Sequence, residues 1–317
     1  MVDYPNNCSV AVSVAAAASE VAQNERLLQP VWDWLKDGKE DYLRSPMFPP
    51  FLAVGFYFLA VTPFTIFDLL GRNWGWIQKY KMQKSKTVTW PMVQNALMLY
   101  LWNHCIYIFP MALVQLIWVP PTPLPAEAPT VWEFCWQTVV WFIMFDFSYW
   151  AYHTLHHKVR FLYRWCHSVH HQYHSTFAMM TQYLHPWELF YVGFMVTVIP
   201  WAFQYHVLTY WSWFIISTYV SIEIHSGYDL PFTFDKICSL YGGAAKHDMH
   251  HLRPMSNFEP WLTWLDRLCG KQCLAMLLGY EFTLESYKKL RAEKSKQKEL
   301  ENFGRNDDYD VGLKKWN

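Results

Sequence analysis

The chain is short of charge. Only 16% of its 317 residues are Asp, Glu, Lys or Arg, and 26 bases offset 26 acids to a formal net charge of zero. Soluble domains are about a quarter charged, so an ordinary soluble domain is not expected. A neutral chain has no global field to draw in nucleic acid, which is excluded as a partner. Its seven cysteines are scattered with no C-x-x-C. That excludes a zinc ribbon, a thioredoxin-type motif and covalent haem attachment. G-x-S-x-G, G-x-G-x-x-G and a Walker loop are all missing. No hydrolase elbow and no nicotinamide or ATP cradle is therefore recognisable. No basic stretch precedes the small apolar run at 9–19, so a cleaved signal peptide is not expected.

What is abundant is apolar: 53% of the chain is hydrophobic, and 19% of the chain is aromatic. About 20 apolar residues cross a bilayer. Five stretches qualify as expected spans: 47–70, 92–119, 131–151, 187–203 and 207–224, with Pro110 and Pro200 as candidate kinks. The loop 71–91 carries Arg72, Lys79, Lys81, Lys84 and Lys86, whereas 120–130 carries no Lys or Arg. Basic loops stay cytosolic. The N-terminal segment 1–46 is then lumenal, which makes Asn7 in Asn7-Cys8-Ser9 a usable glycosylation site. The catalytic domain is expected over 47–281, followed by a charged cytosolic tail, 282–317. The tail ends in KKWN, where Lys314 and Lys315 resemble a dilysine retrieval signal of the endoplasmic reticulum.

Histidine supplies the chemistry. Three boxes share the spacing H-x2-H-H: His153/His156/His157, His167/His170/His171 and His247/His250/His251. On a helix, positions i, i+3 and i+4 share one face, so each box can aim two or three imidazoles at one point. Imidazole suits iron, zinc, copper and nickel, not magnesium or calcium. Three boxes hold more nitrogens than one tetrahedral ion can use, which implies two metals. All three boxes fall on the cytosolic side of the expected spans, and His225 is delivered there too. Iron is the choice if dioxygen is to be activated, because zinc is redox-inert. Asp146, Glu188, Glu223 and Asp248 are candidates to orient ligands. His156, His174 and His185 are candidate additional ligands, while His104 and His206 are expected to pack. The expected fold class is all-α, a multi-span helical membrane protein with a cytosolic histidine-rich di-iron cap.

HTLHH, HSVHH and HDMHH resemble the boxes of the fatty acid hydroxylase/sterol desaturase superfamily of membrane di-iron enzymes. The surrounding text, including LQPVWDWL (28–35), HSVHHQYHSTFAMMTQY (167–183), IEIHSGYDLPF (222–232) and YGGAAKHDMHH (241–251), resembles its sterol side-chain hydroxylases. The resemblance covers roughly 28–270. It implies an endoplasmic-reticulum enzyme that hydroxylates a membrane sterol with dioxygen and two Fe ions. Electrons would come from NADPH through a separate membrane reductase. The nine imidazoles His153, His157, His167, His170, His171, His225, His247, His250 and His251 would be the ligands. The pair His185-Pro186 resembles the C4-methyl sterol oxidases instead. That enzyme or an acyl-lipid desaturase is one alternative; a lipid-binding regulator with a vestigial or zinc-loaded site is another.

Overall fold

The computed structural model describes residues 26–269 and Ala292. Asn7, Lys314 and Lys315 lie outside the described residues. The chain divides into two compact units, Met1–Leu265 and Asp266–Asn317; the account below concerns the first. Among the described residues the fold is helical, and β pairing is limited to two isolated bridges, Lys81–Tyr228 and Tyr241–Leu262.

The main helices are α1 (Gln29–Lys36), α2 (Phe48–Leu69), α3 (Trp90–Trp118), α4 (Val131–Lys158), α5 (Pro186–Ala202), α6 (Val207–His225) and α7 (Gly243–Leu252). Their starts are written locally. Proline occupies the first turn of α1, α2, α3 and α5, where its missing N–H has no partner to lose. A capping box opens α4: Thr130 Oγ1 accepts from Glu133 N at 3.1 Å, and Glu133 Oε2 accepts from Thr130 N at 2.7 Å. Pro110 does not end α3. It cannot donate to Ile106 O, and the helix answers with a π turn at His104–Ile108.

Two helices, α2 and α3, are long and apolar enough to cross a membrane, with mean hydropathy 1.8 and 1.5. Phe51, Leu59 and Ile66 on α2, and Trp102, Leu113 and Ile117 on α3, point outward. Apolar side chains presented outward along whole helices fit lipid as solvent. The other three expected spans are helices of 28, 17 and 19 residues. Gln137 and Asp146 on α4, and Thr209 and Glu223 on α6, are buried polar groups. Such groups lower hydropathy while they serve the interior.

The helix α6 is the hub. Its Ile222 joins the core formed by Tyr57, Val61 and Tyr100. Its Trp213 and Ile224 join Trp141, Phe145 and Trp261. Its Leu208 and Trp211 close over Trp32 and Leu43. At 19 residues it is about 28 Å long, so His206 and His225 mark opposite ends of the bundle.

The two ends are built from different parts of the chain. At the His206 end, α1 grips the 122–128 loop. Trp32 Nε1 donates to Pro125 O at 2.9 Å, Gln29 Oε1 accepts from Ala128 N at 2.7 Å, and His206 Nε2 donates to Glu127 O at 3.0 Å. At the His225 end, the basic 71–91 loop packs on the histidine region. Met82 N donates to Gly227 O at 3.0 Å, and Gln83 Nε2 donates to Asp248 Oδ1 at 2.9 Å.

Between α2, α3 and α6 runs a stretch of short 3-10 turns, Ala178–Gln182, with extended flanks. Irregular backbone at such depth survives only where its polar groups find protein partners. Tyr57 OH donates to Met179 O at 3.0 Å, Asn103 Nδ2 to Leu184 O at 2.9 Å, and Thr181 Oγ1 to Ala178 O at 2.7 Å. Asn103, which interrupts an apolar span in the sequence, is there for this carbonyl.

Glycosylation tags give the sidedness. Tags within 120–130 are expected to be modified, and tags within 71–91 are not. Modification of both loops, or of 71–91 alone, rejects the arrangement in which the basic loop and the histidine region share the cytosolic face.

Candidate metal centre

Each histidine box is carried by a different kind of backbone. The first lies on the last turns of α4, which runs two turns beyond the apolar stretch and ends where Val159 N bonds Leu155 O. The second is not α-helical. A π turn covers Tyr163–His167 and a 3-10 turn covers His170–Gln172. The third lies on α7, and His225 closes α6.

These elements converge on two points. His153, His157, His167, His171 and His250 form one group, and His170, His225, His247 and His251 form the other. In each group the ring nitrogens lie within 4.8 Å of one another, and all nine residues are buried. Each box sends two imidazoles to one point, as its spacing allows, and its third elsewhere. The second box splits, because the π and 3-10 turns place His167 and His171 on one side and His170 on the other. The third splits as well: His247 and His251 are one turn apart on a shared face of α7, and His250 is rotated about 100° from His251 and about 60° from His247. On α4, His153 and His157 share a face and His156 looks elsewhere.

The ring tautomers explain what the groups can do. His153 Nδ1 lies 2.6 Å from Phe258 O, His250 Nδ1 2.7 Å from Ser256 O, and His225 Nδ1 2.7 Å from Ser221 O. His167 Nδ1 lies 2.6 Å from Glu188 Oε1. A carbonyl or carboxylate can only accept, so these four rings donate from Nδ1 and turn an Nε2 lone pair inward. The Nε2 of His157 then lies 3.1 Å from that of His153 and 2.8 Å from that of His167. One N–H can satisfy only one of these two acceptors. In the second group, His225 Nε2 lies 3.2 Å from His170 Nε2 and 2.8 Å from His247 Nε2.

Protons do not fill the gap. Burial holds His170 down at about 4 and His250 at about 3, with neighbouring rings adding to the depression, and pushes His171, His247 and His251 well below the usual imidazole value. Buried imidazole nitrogens converging this closely are a donor set for a cation. Metal–nitrogen bonds of about 2.1 Å put adjacent ligands of one ion about 3 Å apart, which is the spacing found. The residues fit two ions.

The remaining candidates are placed elsewhere. Glu188 orients His167, as a carboxylate behind a ligand does. Asp146 contacts no imidazole; its Oδ1 accepts from Trp261 N at 3.3 Å and Leu262 N at 3.1 Å. It thereby anchors the loop whose Ser256 and Phe258 carbonyls hold His250 and His153. Asp248 accepts from Gln83 Nε2 and, at 2.8 Å, from Thr176 Oγ1, tying three segments together. Glu223 accepts from Tyr241 OH at 2.5 Å. His156 donates Nδ1 to Tyr152 O at 2.8 Å and lies over that ring. His174 approaches His251 O at 3.4 Å. His185 caps α5, its Nδ1 accepting from Trp187 N at 3.1 Å. His104 stacks on Tyr100. None of His156, His174 and His185 joins either group.

Sequence reasoning passed over the supports. Gly227 follows His225 with φ +77°, and a Cβ there would lie 2.5 Å from Thr176 O; only glycine makes this turn without strain. Beside it, Lys81 pairs with Asp68 in the interior, and Tyr228 OH donates to the same carboxylate at 3.0 Å. A glycine after a histidine was the available signal. The carbonyls of Ser256 and Phe258 carry no residue-type signal at all.

Ligand replacement separates the groups. His171→Gln and His251→Gln are each expected to lower metal content by about one ion per chain, whereas His156→Gln and His185→Gln keep two, read by metal analysis. Glu188→Ala is expected to weaken metal affinity or activity about 10–100-fold. The metal-free protein should be acid-sensitive. An unfolded histidine titrates near about 6.5, above the depressed folded values, so the unfolded chain binds the extra protons as pH falls below that point. No penalty applies above about 6.5, and Tm is expected to fall from about pH 7 to about pH 5. An unchanged Tm would contradict the buried neutral rings.

The comparisons with known proteins bear on this geometry. The model of the family described as fatty acid hydroxylase matches residues 138–271, a range that contains all nine imidazoles. The chain is 49% identical over 278 residues to a "Cholesterol 25-hydroxylase-like protein" of Caenorhabditis elegans, covering 88% of this chain and 90% of that one. It is 45% identical to "Cholesterol 25-hydroxylase-like protein 2" of Danio rerio, covering 78% of this chain and 89% of that one. To "Cholesterol 25-hydroxylase" of Homo sapiens it is 33% identical, covering 78% and 92%. No solved structure matches. Identity at this level along most of both chains leaves one conclusion: the chain belongs to the fatty acid hydroxylase family.

Proposed function

We propose that this chain is a sterol hydroxylase of the endoplasmic-reticulum membrane that uses two Fe ions, dioxygen and electrons from NADPH delivered by a separate membrane reductase. Its leading reaction is cholesterol to 25-hydroxycholesterol. The observation that carries the reading is the pair of buried imidazole groups, five and four, at one end of a lipid-facing bundle. The printed names of the relatives supply the substrate class.

The reaction inserts one atom of dioxygen into a C–H bond; two electrons and two protons turn the other into water. A bound iron pair supplies the redox chemistry, which zinc does not. This chain's residues do the rest. The nine imidazoles would hold the pair, and Glu188, Ser256 O and Phe258 O fix three of them in the ligating tautomer. Burial of the whole set keeps water from the oxidant. The basic end faces the cytosol in this reading, where a reductase partner would dock.

His185 caps α5 and Pro186 fills its first turn; a C4-methyl sterol oxidase, which the pair resembles, is the alternative, told apart by its product. A structural zinc protein needs about four ligands per ion and no redox partner; nine imidazoles without a thiolate fit it less well than iron.

The test is expression in cells lacking sterol hydroxylases, with mass spectrometry of total oxysterols. A side-chain hydroxylated sterol is expected from the intact chain and none from His171→Gln or His251→Gln at equal membrane-inserted protein. Full activity in both variants, or no oxysterol from the iron-loaded intact chain, rejects the reading.

A further inference from the structure

One aromatic cluster reaches a candidate ligand. The Tyr149 ring lies 5.3 Å from the ring of His153, and Phe145 lies 6.0 Å from Tyr149. Trp261 stacks on Phe145 at 4.7 Å, and Trp213 lies 5.8 Å from Trp261. Trp141 stacks on Trp213 at 4.5 Å with the rings 8° from parallel. Tyr205 lies 5.8 Å from Trp141 and from the half-buried Trp136. The series leads from the histidine region toward the His206 end.

Packing explains rings in this core, but not the choice of indoles. Trp141, Trp213 and Trp261 are at most 2% exposed. The Nε1 of Trp141 and of Trp213 has no hydrogen-bond partner among the described residues. A buried N–H left unsatisfied costs about 1–3 kcal/mol, which a phenyl ring would avoid. What indole adds over phenyl is ready one-electron oxidation. Without an acceptor for its N–H, the oxidised ring keeps its proton, so the electron vacancy stays reversible and moves to the next ring. Close stacking favours that move, because electron tunnelling falls steeply with distance.

We propose that Tyr149, Trp261, Trp213 and Trp141 form an electron-escape ladder that discharges the oxidised metal centre when no substrate C–H bond is in place. The inference rests on the oxygenase reading above. Reduction of dioxygen to two waters needs four electrons and four protons. In productive turnover two electrons come from the reductase and the C–H bond supplies the remainder. Without substrate, two electrons are missing. The ladder lends them one at a time, and the waters take their protons from solvent. The vacancies end on the outermost rings, where a small thiol reductant refills them, two thiols giving up two electrons and two protons to form one disulfide.

The test uses the full-length chain in lipid nanodiscs, loaded with iron, brought to the ferric state and given hydrogen peroxide, which stands for dioxygen plus two electrons and two protons. Freeze-quenched electron paramagnetic resonance and peptide mass spectrometry read the protein, not its product. Iron-dependent tryptophan radicals are expected, with oxygen-addition products at Trp261, Trp213 and Trp141. Exposed Trp76 and Trp132 should stay at the level of iron-free controls. Trp213→Phe keeps a ring in the stack but removes the oxidisable step; Trp141 oxidation should fall to background while Trp261 oxidation rises. Oxidation confined to exposed tryptophans, or no tryptophan radical at all, overturns the ladder. If oxysterol forms in cells and the ladder stays silent, only the ladder fails. If the ladder is oxidised and no oxysterol forms, only the sterol reading fails.

Discussion

Nine imidazole nitrogens facing one another out of reach of water set the terms for this molecule. Lone pairs at about 3 Å repel, and burial removes both the water and the protons that would relieve them. A cation in each group relieves them. If these groups hold metal, affinity for the ion and the energetics of the fold are one quantity, because the same nitrogens serve both. The four Nδ1–H donations to Phe258, Ser256, Ser221 and Glu188 make the frustration specific. Without them the rings could exchange tautomers and settle into ordinary hydrogen bonds.

Holding that arrangement explains polar residues that sit oddly in apolar helices. Asp146 lies in the middle of α4, yet it works on the loop at 256–262. Tyr57 and Asn103 serve carbonyls of the irregular stretch that follows the second box. Asp68 meets Lys81 and Tyr228 beside the turn that follows His225. Removing one member of a buried ion pair is costly, commonly about 3–5 kcal/mol. A lesion at Asp68 would therefore reach the His225 group through the backbone of 226–229.

Much of this was legible before the structure. Apolar length marked α2 and α3 to within about two residues, the usual uncertainty of helix ends. Box spacing and delivery to one end pointed to ten histidines, of which nine converge and His156 does not. What the spacing did not show was their division. H-x2-H-H reads as one face only on an α-helix, and the second box is wound as π and 3-10 turns. The acidic residues were legible as important and illegible in role. Asp146 is two turns from His153 along α4, but a carboxylate's target depends on what packs across from it. Backbone carbonyls were not legible at all, since every residue carries one.

The split boxes bear on how two ions could act together. Were each box devoted to one point, loss of a box would remove one site and spare the other. Here the second box contributes His167 and His171 to one group and His170 to the other, and α7 contributes His250 to one and His247 and His251 to the other. A shift of either element moves ligands of both groups at once. Asp248 sits on α7 between His247 and Met249 and holds it to Gln83 and Thr176. Its loss would free α7 against the second box and loosen both groups together, without touching a ligand. Coupling of this kind suits chemistry that needs both ions in register, and it follows from backbone geometry: on α7 adjacent positions point about 100° apart, and in the second box the π and 3-10 turns divide the rings.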